Sequence, residues 1–295
     1  MGAAALTTDK VVRPPSTRVL GRLRATGPAG IASACVIVIG TFAAFFGSLL
    51  APKDPNASNI TFQFVGPFKA TGYLLGFDSQ GRDLLSRLMV GARTSMLGPV
   101  LVMLMSMAAG CVIAVVSAWR GGWVDSAIGT VMDIMFAFPA ILLAVLTSAV
   151  FGAGLLAPTI ALAIAYTPYI ARVLRSAAVR ERAREYISAA EVQGLSTFAI
   201  CFKHLIPNLG NLVVAQGTLV FAWAMVDLAS ISFLGLGVQP PTADWGVMVS
   251  TGETGVLQGY PLESLSAGLC IVLVVVAVNL LGERMVQRND EREGR

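Results

Sequence analysis

Charge vanishes from long stretches of this chain and returns in clusters, and that alternation sets the predicted elements. No residue is charged between Arg24 and Lys53, between Arg93 and Arg120, or between Glu263 and Glu283. Each gap can hold the roughly 20 apolar residues that cross a bilayer core as a helix. The gap from Asp125 to Arg172 contains only Asp133 and is too long for one crossing. Within it, "FGAGLLAP" at 151–158 supplies glycines and a proline for a reversal, which predicts two helices. From His204 to Asp244 only Asp227 interrupts, and Pro207 and Asn208 mark the start of one helix ending near Gly235. The pattern predicts an all-α membrane protein with six transmembrane helices.

Two shorter patterns stand apart from the spans. Leu84, Leu85, Leu88 and Met89 recur at helical spacing with Arg87 opposite, which predicts an amphipathic helix on the outer surface before the second span. Between spans four and five, "RSAAVRERAREY" alternates Arg and Glu as a solvated helix face does. Ser188, Ala189 and Ala190 then form a small-residue patch, Gly194 breaks the helix or admits a close backbone, and "LSTFAICF" starts a second short helix. Leu195, Phe198, Ile200 and Phe202 need cover, either from the membrane domain itself or from a cytosolic partner.

Composition agrees with the spans. Hydrophobic residues are 55% and charged ones 13%, with a mean hydropathy of +0.73, against about 25% charged in an average soluble domain. The net charge of +4 does not point to nucleic acid, because Lys and Arg cluster beside apolar runs and leave no basic face for a duplex. They act as topology signals. Lys10, Arg13, Arg18, Arg22 and Arg24, the cluster from Arg172 to Lys203, and Arg284 to Arg295 all fall on one side of a six-span chain, the cytoplasm. Arg82, Arg87 and Arg93 on the other side weaken this bias without reversing it.

The expected organisation is a cytoplasmic tail at 1–27, a first span at 28–52, and an extracytoplasmic segment at 53–93. A five-helix core follows at 94–285, with a cytoplasmic loop at 172–208 and an extracytoplasmic loop at 236–263, and a cytoplasmic tail closes the chain at 286–295. The first apolar run exceeds a signal-peptide core and lacks a clear A-x-A site, so an uncleaved helix is expected.

Catalytic signals are missing from the sequence. There is no G-x-x-x-x-G-K-[ST] loop and no H-E-x-x-H; Cys35, Cys111, Cys201 and Cys270 are far apart, and the single histidine, His204, reads as a polar contact near a helix start. Asp133 and Asp227 interrupt apolar spans, where an acid costs about 2.5 to 3.5 kcal/mol near the bilayer centre, so each should face protein or water. Each is either functional or a hydrogen-bonded packing residue. Arg82 and Asp83 either fix a helix start or meet a partner.

Four stretches carry a resemblance. "SAAEVQG" and "HLIPN", with residues 195–203 between Gly194 and His204, resemble the EAA loop of ABC importer permeases, with Ser188 in place of Glu and His204 in place of Ile. "LGFDSQGRDLLSRLMVGARTSM" (75–96) is similar to LGTDxxGRDxxSRxxxGxRxSL, with Phe77 in place of Thr. "GGWVDSAIGTVMDIMFAFP" (121–139) is similar to GGxxDxxxMRxxDxxxxxP, with Gly129 and Thr130 in place of Met-Arg. "SFLGLGVQPPTADWGVM" (232–248) matches nearly throughout.

The chain therefore resembles the C-type inner-membrane permeases of oligopeptide and dipeptide ABC importers. That resemblance implies the type I importer permease fold with both termini cytoplasmic. It implies a paired B-type permease, two cytoplasmic ATPase subunits that carry ATP and Mg, and an extracytoplasmic substrate-binding protein; this chain itself binds no cofactor and is not an enzyme. It places ATPase coupling on Glu185, Ser188, Ala189, Ala190, Gly194, Leu195, Ile206 and Pro207, a candidate translocation path at Asp227 and Ser230, and an extracytoplasmic structural or binding-protein contact at Arg82, Asp83 and Arg87. Short peptides are the implied cargo, with nickel, glutathione and haem carried by relatives. The alternatives are an ion-gradient-driven secondary transporter, supported by Asp133 and Asp227, and a membrane scaffold, which leaves the EAA-like loop idle.

Overall fold

The computed structural model describes residues 27–292, with side chains from 28 to 285. The basic cluster Lys10 to Arg24 and the side chains beyond 285 lie outside the described residues. The helices are α1 (Gly27–Leu50), α2 (Leu84–Arg120), α3 (Gly122–Phe136), α4 (Ala140–Phe151), α5 (Leu156–Arg182), α6 (Glu185–Val192), α7 (Thr197–Ile200), α8 (Ile206–Asn208), α9 (Gly210–Phe233), α10 (Trp245–Thr251), α11 (Glu253–Leu257) and α12 (Leu262–Arg292). A π-helical turn, Cys201–Leu205, joins α7 to α8. Among the described residues no strand forms beyond one isolated bridge, Phe77 with Asp83.

Five helices, α1, α2, α5, α9 and α12, are long and apolar enough to cross a membrane, and α3 with α4 makes a sixth, broken span bent by 73°. The break has a local cause. Pro139 disfavours helical backbone at Phe138 and itself takes ψ 126, so the chain turns before α4 begins. At the far end of α4, Gly152 at φ +96 starts the reversal into α5.

The core lies where α2, α5 and α9 meet. Val102, Met107 and Ala114 of α2 pack with Leu162, Ile170 and Leu174 of α5 and with Val220, Ala224 and Leu228 of α9. A β-carbon at Gly110 would lie 2.5 Å from Ile170 Cγ2; small residues at such a crossing let membrane helices approach closely. Pro168 sits inside α5 and removes one backbone hydrogen bond from that helix.

Three expected boundaries move. The separate amphipathic helix at the outer surface does not form: residues 84–93 are the first turns of α2. Leu84 and Leu88 pack with Met96, Trp245 and Met248, and Arg87 is fully buried. Residues 51–83 and 236–263 fold over this end of α2, so a stripe that reads as lipid-facing is covered by the chain's own loops. Residues 172–182 continue α5, which leaves a connecting hairpin that begins at 183. The backbone of α12 runs through the expected 286–295 tail as far as Arg292.

Candidate coupling surface and transport face

The hairpin between α5 and α9 is built from its sequence outward. Along α6, Ile187 and Ala190 turn inward onto Ile200 and Trp119, while Glu185, Ser188 and Ala189 face outward. Gly194 N–H donates to the Glu191 carbonyl (3.0 Å) and Leu195 N–H to the Ala190 carbonyl (3.2 Å). This is a Schellman stop, and it needs the left-handed conformation that Gly194 takes at φ +78. Two residues later Ser196 Oγ accepts the Ala199 N–H (3.3 Å) and starts α7. The hairpin leaves apolar side chains bare: Val192 is 89% exposed, Phe198 71% and Phe202 57%, with Leu195 beside them. Ile206 is half-buried and Pro207 exposed.

Polar anchors fix the hairpin to the spans. Arg182 donates to the Ala118 carbonyl (2.8 Å) and to that of Trp119, and lies 4.8 Å from the Trp119 ring. It therefore supplies a cation to the carbonyl end of α2. Tyr186 donates to Glu181 (2.6 Å) and accepts from Asn208 Nδ2 (2.7 Å), tying α5, α6 and α8 together. Burial, then the Glu181 carboxylate, raises the Tyr186 hydroxyl above its usual range, so it remains a donor. Cys201 is packed against Ala118, Ala178, Leu205 and Leu209, and burial lifts its thiol, which makes it a packing residue. His204 lies 6.2 Å from the Tyr186 ring, an aromatic contact near the start of α8.

A polar face runs up α5 from this hairpin. Arg175 grips Asp125 with two nitrogens and Ser117 with one, and Arg172 pairs with Asp133. These pairs hold α3 against α5 around a cavity of about 460 Å3 lined by Ser117, Asp125, Asp133, Arg172 and Arg175. Further along, Tyr166 donates to Asp227 of α9 (2.6 Å), and Ser230 donates to the Val226 carbonyl (2.8 Å). Charged groups inside spans face protein or water.

At the opposite end, buried charges tie the 51–83 loop to the helices. Asp78 accepts from Arg82 N (2.8 Å), Gln80 N (2.8 Å) and Arg82 Nε (2.7 Å), with Arg87 Nε 3.4 Å away. Arg87 also donates to the carbonyls of Pro55 (3.1 Å) and Pro241 (3.3 Å), joining both outer loops. Asp83 caps α2 through the Ser86 N–H (3.0 Å). Glu263 receives Ser79 N (2.9 Å) and Thr251 Oγ1 (2.6 Å), while Asp244 caps α10 and receives Ser95 Oγ (2.8 Å). Burial raises the Asp244 carboxyl above its ordinary range despite these donors.

The sequence-predicted residues thus fall into three separate places. Glu185 to Pro207 lie on the hairpin, Asp227 and Ser230 on the α9 face, and Arg82, Asp83 and Arg87 under the outer loops, all three buried. Asp83 holds the helix start, as one of its two readings expects. Gly194 breaks the helix at φ +78, the first of its two readings, and a β-carbon there meets nothing of this chain within 4 Å. Asp78, Asp125, Arg175, Tyr166 and Glu263 escaped the sequence reading. Their partners lie up to 184 positions away in the chain; Asp78 and Asp125 are marked in the sequence as the fixed acids of the LGTDxxGRD-like and GGxxD-like stretches.

The described residues thus form a bundle of apolar spans with an anchored, apolar-faced hairpin at one end. The chain belongs to the family of binding-protein-dependent transport system inner membrane components, whose family model matches residues 106–295. It is a multi-pass inner-membrane permease of that family. It is 37% identical over 246 residues to the di/tripeptide transport system permease protein DppC of Pseudomonas aeruginosa, covering 82% of this chain and 81% of the relative. It is 34% identical to the dipeptide transport system permease protein DppC of Alkalihalophilus pseudofirmus over 84% of this chain and 81% of that one. It is 30% identical to the glutathione transport system permease protein GsiD of Pectobacterium atrosepticum over 93% of this chain and 90% of that one.

Proposed function

We propose that this chain is the C-type permease of an ATP-driven peptide importer. It pairs with a B-type permease, receives short peptides from an extracytoplasmic binding protein, and couples to two cytoplasmic ATPase subunits. The carrying observation is the α6–α8 hairpin. It is pinned to α2 and α5 by Arg182 and Tyr186, yet it presents Val192, Phe198 and Phe202 bare, and an exposed apolar patch of this kind calls for a protein partner. Glu185, Ser188, Ala189, Gly194, Leu195 and Pro207 form the docking rim; Ala190 and Ile206 support it from behind. The ATPases hold ATP and Mg, and this chain is non-catalytic. Both termini are cytoplasmic in this reading, and the Asp227 and Ser230 face lines the route.

Topology gives the first check. Cysteines placed at the exposed positions Ser58 and Thr242 are expected to react with a membrane-impermeant reagent on intact cells, and one at Ser188 only after permeabilisation. Outside labelling at 188 inverts the orientation. The second check is the energy source: in vesicles with the paired permease, ATPases and binding protein, uptake should follow ATP. Uptake by the isolated chain along an ion gradient would replace this reading with the secondary transporter. Asp133 and Asp227, that rival's support, already meet Arg172 and Tyr166.

A further inference from the structure

Four side chains converge where α5 meets α9, and they share one kind of chemistry. Trp223 and Asp227 are four residues apart on α9, hence on one helix face. Tyr166 and Tyr169 are three apart on α5. The Tyr169 and Trp223 rings meet edge to face at 5.1 Å, the Tyr166 and Trp223 rings are tilted at 6.0 Å, and the Tyr166 hydroxyl holds one Asp227 carboxylate oxygen at 2.6 Å. The cluster is open to one side, with Trp223 39% exposed and Asp227 half-buried.

We infer that Trp223, Tyr166, Tyr169 and Asp227 form a subsite for a cationic amine, the α-ammonium of a peptide in transit. An aromatic face attracts a cation within about 6 Å of its centroid, and a carboxylate beside it supplies a charged acceptor. Tyr166 spends its proton on Asp227, which fixes the carboxylate and leaves its other oxygen for the ammonium. A structural Tyr–Asp contact alone would not require three rings at this position, nor leave the indole partly open. The inference rests on the proposal that this face lines the route. It adds the group that is read there: a free, protonated amino terminus, in preference to a blocked one. The hold is weak, as a transit site requires.

The test uses the whole complex, purified without the binding protein, with the four native cysteines replaced and Ser230→Cys introduced one turn beyond Asp227. A membrane-impermeant sulfonate thiol reagent is applied in nucleotide-free and vanadate-trapped states. Ser230→Cys is expected to react in at least one state, and excess Ala-Phe should slow that reaction roughly tenfold while N-acetyl-Ala-Phe does not. Asp227→Asn and Trp223→Leu should each abolish the protection while labelling and subunit co-purification persist. No labelling in either state overturns the route reading itself. Labelling that both peptides slow equally, that neither slows, or that stays protected in Asp227→Asn leaves the route standing and overturns the ammonium subsite.

Discussion

Asp78→Ala is expected to leave the spans inserted but to unfasten the outer loops and cost the chain about 3 to 5 kcal/mol, the range for breaking a buried ion pair by removing one partner. Asp78 is wholly buried and is the carboxylate beside both Arg82 and Arg87, themselves buried. Its removal takes the carboxylate from Arg82 and leaves Arg87 only the neutral acceptors of Pro55, Asn56 and Pro241. It also removes the acceptor for the Gln80 and Arg82 backbone N–H groups, so the turn before α2 loses its internal support. Thermal unfolding of the purified complex and protease cleavage within 51–83 provide the measure. Unchanged melting with an uncleaved loop would show that Glu263 or solvent takes over the two arginines. Asp78→Asn separates charge from shape: it keeps an acceptor and should fall between the two.

Gly194→Asp is expected to leave membrane insertion and permease pairing intact while lowering ATP-coupled uptake tenfold or more. The cause is conformational. A typical L-residue held at φ +78 carries a penalty of roughly 1 to 2 kcal/mol, smaller for Asp and Asn, and it falls on a Schellman stop that rests on two hydrogen bonds. Its β-carbon meets no atom of this chain within 4 Å, so any steric harm comes from a docked partner. Gly194→Ala and Gly194→Asn distinguish the two causes, because Asn tolerates the left-handed region better than Ala while being larger. Strain predicts that Asn outperforms Ala; crowding predicts the reverse. Co-purification with ATPase and transport assays on one preparation read both, and normal coupled uptake in all three variants would reduce the hairpin to a connector.

The spans were legible in the sequence because burial in lipid demands uninterrupted apolar runs, and charge gaps mark them without knowledge of the fold. The reversal near Gly152 and the stop at Gly194 were legible for a related reason: each is written in a residue whose own backbone chemistry dictates it, whereas the break at Pro139 was not read and the segment was expected as one continuous helix. The 84–93 stripe was misread because periodicity reports that a face is apolar, not what covers it. Here the cover comes from loops at 51–83 and 236–263, which no local pattern links to α2. The ion pairs Arg175 with Asp125 and Arg172 with Asp133, and the Tyr166 bond to Asp227, are invisible for the same reason. They join residues 39 to 61 positions apart, and the sequence shows only that each polar group needs some partner.

Helix α5 joins these places in one rod, and its length has a mechanical consequence. Tyr166 and Arg182 sit on the same helix about 24 Å apart along its axis, one gripping Asp227 and the other the end of α2. Pro168 lies two residues from Tyr166 on the hairpin side, where the backbone ladder is one bond short. A tilt of about 5° applied at the hairpin would move the Tyr166 level by roughly 2 Å over that lever arm, enough to part a 2.6 Å hydrogen bond. The proline joint lies between the hairpin and Tyr166, so its stiffness sets how much of such a tilt reaches the Tyr166–Asp227 bond.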